Sequence, residues 1–342
     1  MQRKVVLLLS ICTSVTCTGG AGPRAATTTA TTPAIGPAST PEGHLVMDSL
    51  WSPALGVWKR MVVYLPPSYE SSPRRRYPVA YYLHGMWGSE TDWTTQGHIA
   101  AVADSLAAAG VPEMIIVMPD GDNGYYTTWA TPGDYEACRR QPPVREPPHS
   151  YCVRRPHYDE YVAFDVVRHV DSAHRTRAEP ARRAVAGLSM GGYGAITLAL
   201  RYPEIWSAAA SHSGVLSIAL VGRAPDGAPQ WLNADPDFEP LWGADFWPLI
   251  APVFGRDTAD WWAREPARLA SIAEARGRLP AMLIDVGVDD SLVIDRNRAF
   301  RDRLAELGIA HTYREWPGGH TWSYWRAHVG ESLRWIAGHI GR

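Results

Sequence analysis

Near the middle of the chain, Gly187-Leu188-Ser189-Met190-Gly191, with Gly192 behind it, sets one serine among glycines. Upstream, residues 184–188 are an apolar run suited to a strand; downstream, residues 192–201 carry apolar side chains at helical spacing. A serine on a tight strand-to-helix turn needs neighbours without side-chain bulk. The helix N-terminus also favours negative charge developing beside it. G-x-S-x-G alone is a weak signal, and the strand before it and helix after it make it a strong one. The chemistry implied is nucleophilic attack by Ser189, which requires a base to take its proton and an acid to orient the base.

On such a turn the acid and then the base follow the serine in the chain, each at the C-terminal end of a strand. His311, His320, His328 and His339 lie late enough. His311 opens a predicted strand (311–316), while His328 and His339 fall inside a predicted helix (322–339). His320 stands in a glycine-rich loop, Pro317-Gly318-Gly319-His320, and is the expected base. The acid is expected in Gly287-Val288-Asp289-Asp290-Ser291, after a predicted strand at 281–286: Asp290, with Asp289 as the alternative. Asp285 is placed within that strand and Asp295 at a helix N-cap. Two N–H donors are needed for the oxygen of an attacked carbonyl. Met190 supplies one; Met86 supplies the other, in the loop Leu83-His84-Gly85-Met86-Trp87-Gly88, where Gly85 and Gly88 let the main chain approach. His84 precedes the serine by half a domain and is expected to fix that loop. Trp87, Trp93, Trp129, Trp322 and Trp325 flank the motif loops and could stack on sugar rings or aromatic acyl groups; filling the core is the plainer use of each.

These residues need a scaffold of alternating elements. Strands are predicted at 61–65, 79–83, 113–118, 184–188, 207–211, 281–286 and 311–316, and helices at 98–109, 159–169, 192–201, 296–307 and 322–339. Apolar strands alternating with helices imply a mostly parallel central sheet with helices on both faces, an α/β fold. Two stretches break the alternation: 127–156, rich in proline, and 224–264, rich in tryptophan. Both are expected to be excursions from one domain, the second a possible lid.

The chain resembles the esterase-D-like (putative esterase) family of α/β-hydrolases, which includes feruloyl esterases, enterochelin esterases and mycolyltransferases. The likeness is carried by YYLHGMWGSETDW (81–93), AVAGLSMGGYGAITLALRYP (184–203), SHSG (211–214), DVGVDDSL (285–292) and EWPGGHTWSYW (315–325), collinear across nearly all of 43–342. The resemblance implies Ser189 as nucleophile, Asp290 as acid, His320 as base, and Met86 and Met190 as oxyanion donors, as order and spacing do. It implies ester hydrolysis without metal or organic cofactor, on a small-molecule or glycan ester such as an acylated carbohydrate or a feruloyl or acetyl ester. Acyl transfer to a sugar hydroxyl is the alternative, and a non-catalytic carbohydrate- or wall-binding protein the second. The two excursions depart from the family's compact members, so substrate is what the resemblance defines least.

Composition sets the boundaries. The 342 residues carry a net charge of −2 with no basic block, against a nucleic-acid binder, and 46% hydrophobic residues suffice for a large core. No aromatic residue precedes Trp51. Residues 1–20, with Arg3 and Lys4 before a short apolar run, have the layout of a signal peptide, too short for a membrane span. Residues 21–42, mostly Ala, Thr and Pro, suit a flexible tether, leaving 43–342 as the catalytic domain. The protein is therefore expected to be secreted or held at the cell surface, with Cys12 or Cys17 as alternative lipidation sites. Cys138 and Cys152 are expected to form a disulfide, two free thiols being the alternative. Asp120-Gly121-Asp122-Asn123-Gly124 echoes the start of a calcium loop but lacks its spacing and is expected to be a turn. Arg74, Arg75 and Arg76 are expected to be a solvated loop.

Overall fold

The computed structural model describes residues 42–140, 151–233 and 242–341. The expected signal peptide, Cys12, Cys17 and all but the last residue of the expected tether lie outside the described residues. In chain order the strands are β1 (His44–Ser52), β2 (Val57–Leu65), β3 (Val79–Leu83), β4 (Ile115–Pro119) and β5 (Arg183–Leu188). They continue with β6 (Ala208–His212), β7 (Leu220–Arg223), β8 (Pro229–Trp231), β9 (Ala281–Gly287) and β10 (Thr312–Trp316).

Eight strands form one sheet in the order β1-β2-β4-β3-β5-β6-β9-β10, parallel from β4 onward and antiparallel at the β1–β2 and β2–β4 pairs. Every residue of β3, β4, β5 and β6 is buried. The two-residue period of a strand explains how. Val79, Tyr81 and Leu83 point into the core under the helices Val167–Ala173, Met190–Arg201 and Pro266–Ala275. Ala80 and Tyr82 point into a second core under the helices Ile99–Ala108 and Trp322–Ile340. The mostly parallel sheet with helices on both faces, expected from the alternation, is the one observed.

Differences from expectation lie at the sheet edge, in the excursions and in two helices, of which Pro266–Ala275 was not anticipated. β1 was not anticipated: its outward residues Leu45, Met47 and Trp51 are apolar yet exposed, which hides the alternation that marks a half-buried strand. β2 starts at Val57, four residues before the predicted strand. The predicted helix 159–169 is a short turn, Tyr158–Glu160, a wider π turn, Tyr161–Val166, and then a helix, Val167–Ala173. The second excursion holds β8, which pairs with β7 immediately before the excursion, and the helices Trp247–Phe254 and Thr258–Ala263. The two excursions support one another: Ala130 and Thr131 donate N–H to Val253 O and Pro252 O (both 3.0 Å), and Arg264 Nε donates to Thr128 O (3.1 Å). The first is closed by a Cys138–Cys152 disulfide.

Candidate active site

Ser189 sits between the end of β5 and the start of the helix Met190–Arg201, at φ +50° and ψ −116°. That conformation costs a non-glycine residue about 1–3 kcal/mol and persists only where its surroundings fix it. The surroundings are hydrogen bonds and glycines. Ser189 N–H donates to His212 O on β6 (2.9 Å), and its carbonyl accepts from Val215 N–H (3.2 Å) and Tyr193 N–H (3.0 Å). A Cβ at Gly191 would stand 2.3 Å from Leu83 O, and one at Gly187 would stand 2.4 Å from the Gly191 main chain. The glycines are thus required for β5 and its helix to meet β3, and their close fit holds the serine out at the sheet's C-terminal edge.

Three strand ends converge on that serine. Ser189 Oγ lies 2.9 Å from His320 Nε2, and His320 Nδ1 lies 2.8 Å from Asp290 Oδ2. Asp290 follows β9 and its carboxylate is wholly buried; His320 follows β10 and keeps partial access to solvent. With a carboxylate at Nδ1, that nitrogen carries the proton and Nε2 is left to accept one from the serine hydroxyl. Asp289 has a different task. Its N–H donates to Gly318 O (2.9 Å) and its Oδ2 accepts from Gly318 N–H (3.2 Å), which ties the histidine loop to the acid loop. The structure therefore brings Asp290, and not Asp289, to the imidazole.

The loop after β3 lies across the serine, where a Cβ at Gly85 would be 3.5 Å from Ser189 Cβ. Met86 lines the cleft, and Tyr125 Oη donates to its Sδ (3.3 Å). Met190 is the first residue of its helix, whose leading N–H groups have no carbonyl of the preceding turn to bind. His84 fixes the loop as expected: Nδ1 meets Gly85 O (2.8 Å) and Nε2 accepts from Gly121 N–H (2.9 Å). Asn123 Oδ1 accepts from Trp87 N–H (2.8 Å). The Asp120–Gly124 segment is the turn expected of it, and a lysine occupies its centre. Lys59 is fully buried with Nζ 2.8 Å from Asp120 Oδ2 and 2.6 Å from Asp122 Oδ1.

A cleft of about 300 Å³ opens over Ser189 and His320. Of the five tryptophans singled out, Trp87, Trp322 and Trp325 line it, and Trp93 and Trp129 do not. Trp93 is buried, donates Nε1 to Leu83 O (3.0 Å) and packs edge-on against Trp322; Trp322 meets Trp325, which meets the His320 ring. It acts as a prop behind the imidazole. Trp129 donates to Gly124 O (3.2 Å) and stacks on Tyr158, supporting the turn after β4. Asp295 is also displaced from its expected role. The helix Ile294–Glu306 is preceded by Val293, and Asp295 lies in its first turn, paired with Arg223 Nη2 (3.1 Å). The cleft also takes Tyr125, Val215, Trp242, Phe246 and Arg296, none singled out from sequence. The available signals were the strand end before Tyr125 and the aromatic density of 224–264. Arg296 carried no signal at all.

Residues 52–336 match the family model described as "Putative esterase". An esterase of Mycobacterium tuberculosis is 32% identical over 280 residues, which cover 79% of this chain and 53% of that protein. The chain thus spans about half the length of that relative. An acetyl esterase of Caldicellulosiruptor saccharolyticus is 23% identical over 257 residues, covering 75% of this chain and 82% of the relative. Among solved structures, a ferulic acid esterase superposes with a TM-score of 0.65 at 26% identity, covering 87% of this chain and 99% of that one. The sheet order, the strained serine and these matches agree: the chain belongs to the putative esterase family of α/β-hydrolases.

Proposed function

We propose that the protein is a serine carboxylic-ester hydrolase working through an acyl-enzyme on Ser189. The observation that carries this reading is the unbroken chain Ser189–His320–Asp290, with its serine held in a strained turn at the floor of an open cleft. His320 Nε2 takes the Ser189 proton as Oγ attacks the ester carbonyl. The oxyanion that forms is bound by the N–H groups of Met86 and Met190, each such donor being worth about 3 kcal/mol. The intermediate collapses as His320 returns the proton to the leaving alcohol. Water then attacks the acyl-enzyme, His320 takes its proton, and the acid departs from a regenerated serine. Asp290 keeps Nδ1 protonated and stabilises the imidazolium in each half-reaction.

The aromatic walls suit an acyl group with an apolar body, and acetyl, feruloyl and sugar-borne esters are the substrates proposed. Action outside the cytoplasm is part of the reading, supported by the disulfide and by the leader-like first residues. Among the described residues no helix is long and apolar enough to cross a membrane. The test is hydrolysis of p-nitrophenyl acetate: wild type turns it over, and Ser189→Ala loses about 10⁵-fold or more in kcat. Equal rates for the two proteins contradict the proposal.

A further inference from the structure

Away from Ser189 and His320 the cleft is lined mostly by apolar and aromatic residues, with two charged side chains, Asp92 and Arg296. Among its lining residues Arg296 is the one arginine or lysine, set among Trp87, Tyr125, Trp242 and Phe246. It belongs to the first turn of the helix Ile294–Glu306 and is held from two sides. Nη1 donates to Ser217 O (2.7 Å) and Ile218 O (3.4 Å), and the guanidinium lies 4.7 Å over the Trp242 ring. Each of these contacts orients the group and none neutralises it. Among the described residues no carboxylate lies within ion-pair distance of Arg296.

The carboxylate that acts on it is Glu265, fully buried. Glu265 is committed elsewhere: Oε2 accepts from Ala219 N–H (2.8 Å) and Oε1 from Ala267 N–H (3.3 Å). Burial also pushes its pKa up to about 7, so near neutral pH it offsets the arginine only in part. Asp92 is the carboxylate among the lining residues; it stands beside Gly88 on the loop side. A guanidinium retained in an aromatic cleft, with carbonyls and a ring fixing its plane, is a ready-made partner for an anion.

We propose that Arg296 forms an anion subsite in the cleft, selecting esters that carry a carboxylate on an apolar acyl or alcohol group. The inference rests on the esterase reading above and adds the class of substrate. Arg296 acts here by recognition and takes no proton from the reaction. Its chemistry is distinct from that of the triad, because it discriminates between substrates that Ser189 attacks equally well.

The experiment uses the full chain and two matched pairs of esters. The acyl-side pair is mono-p-nitrophenyl succinate against p-nitrophenyl butyrate; the alcohol-side pair is 4-carboxyphenyl acetate against phenyl acetate. The quantity read is the ratio of kcat/KM, anionic over neutral, within each pair. In Arg296→Gln the ratio is expected to fall by roughly tenfold to a hundredfold in one pair, the worth of one charge-assisted hydrogen bond. Arg296→Lys is expected to recover much of it, and the pair that responds shows which side of the ester carries the anion. Fastening the Ser217 turn alone would slow both members of a pair alike. Ratios within about twofold of wild type in both pairs overturn the subsite while leaving the esterase reading intact. No turnover of either neutral ester by wild type overturns the esterase reading and the subsite with it.

Discussion

Two clusters in this molecule contain a serine, a histidine and an aspartate in the same connected order. In the cleft, Ser189 Oγ is 2.9 Å from His320 Nε2, whose Nδ1 is 2.8 Å from Asp290. In the core, Ser332 Oγ is 2.8 Å from His212 Nε2, whose Nδ1 is 2.7 Å from Asp285 Oδ2. The inner cluster is sealed, at 0% exposure for Ser332 and His212 and 1% for Asp285. Its serine sits in mid-helix and donates to Val329 O, and its His–Asp approach is close but lacks hydrogen-bond alignment. Ser332 is held within a helix and not on a strained turn, and it is fully buried. Residue types and distances are therefore shared by both clusters. Access and the strained turn belong to one.

The inner cluster still has a task. Asp285 Oδ1 accepts from Tyr324 Oη (2.9 Å), and Ser332 Oγ meets Tyr82 Oη (2.9 Å). It fastens β3, β6, β9 and the C-terminal helix together beneath the loops that carry the triad. The main chain joins the two clusters directly, since Ser189 N–H binds His212 O and Ser213 N–H binds Asp285 O (2.7 Å). On the proposed function one cluster bears on turnover and the other on stability, and substitutions can separate these effects.

The largest effect is expected in the cleft. Asp290→Asn should lower kcat by about 10⁴-fold by favouring the wrong imidazole tautomer, while Asp289→Asn should cost less than about tenfold. A larger loss at 289 would reverse the assignment of the acid. In the core, Asp285→Ala should lower the unfolding free energy by about 3–5 kcal/mol in a urea titration, because a buried polar network loses its centre. A change below about 1 kcal/mol would show that the inner cluster fastens nothing.

Buried Glu265 gives a pH-dependent contrast. Burial raises its folded pKa to about 7, so between about 4.5 and 7 the folded state keeps a proton that the unfolded state has lost. Its contribution is then most favourable below about 4.5 and is lost as pH rises through 7. The stability of wild type relative to Glu265→Gln should fall by about 3 kcal/mol from pH 5 to pH 9, measured by denaturation at each pH. Parallel curves would refute the shift. Smallest of all, Ser332→Ala should cost about 1 kcal/mol and leave kcat on p-nitrophenyl acetate within about twofold of wild type.

Much of this was legible in the sequence. Ser189, Asp290 and His320 each follow a strand in a loop marked by glycines, so order and spacing singled out the serine and the histidine and narrowed the acid to Asp290 or its neighbour Asp289. The parallel strands were equally plain, because burial on both faces leaves uninterrupted apolar runs. Where the reading fell short, the signal was tertiary. β1 exposes the apolar residues that a sequence reading expects to be buried. Trp93 and Trp129 sit beside motif residues in the chain but turn toward the core. The inner cluster draws on Tyr82, His212, Asp285 and Ser332, whose sequence separation hides their contact until the sheet is assembled. Arg296 reaches the cleft from a helix whose motif lies five residues earlier.

The two-cluster contrast is tested most directly by finding where an acyl group lodges. The full chain is mixed with p-nitrophenyl acetate, quenched in acid within the first turnovers, digested and mapped by peptide mass spectrometry. One acetyl group on Ser189, absent from Ser332 and from the Ser189→Ala protein, is the predicted result. Acetylation of Ser332, or turnover with Ser189 unmodified at every quench time, would contradict the account.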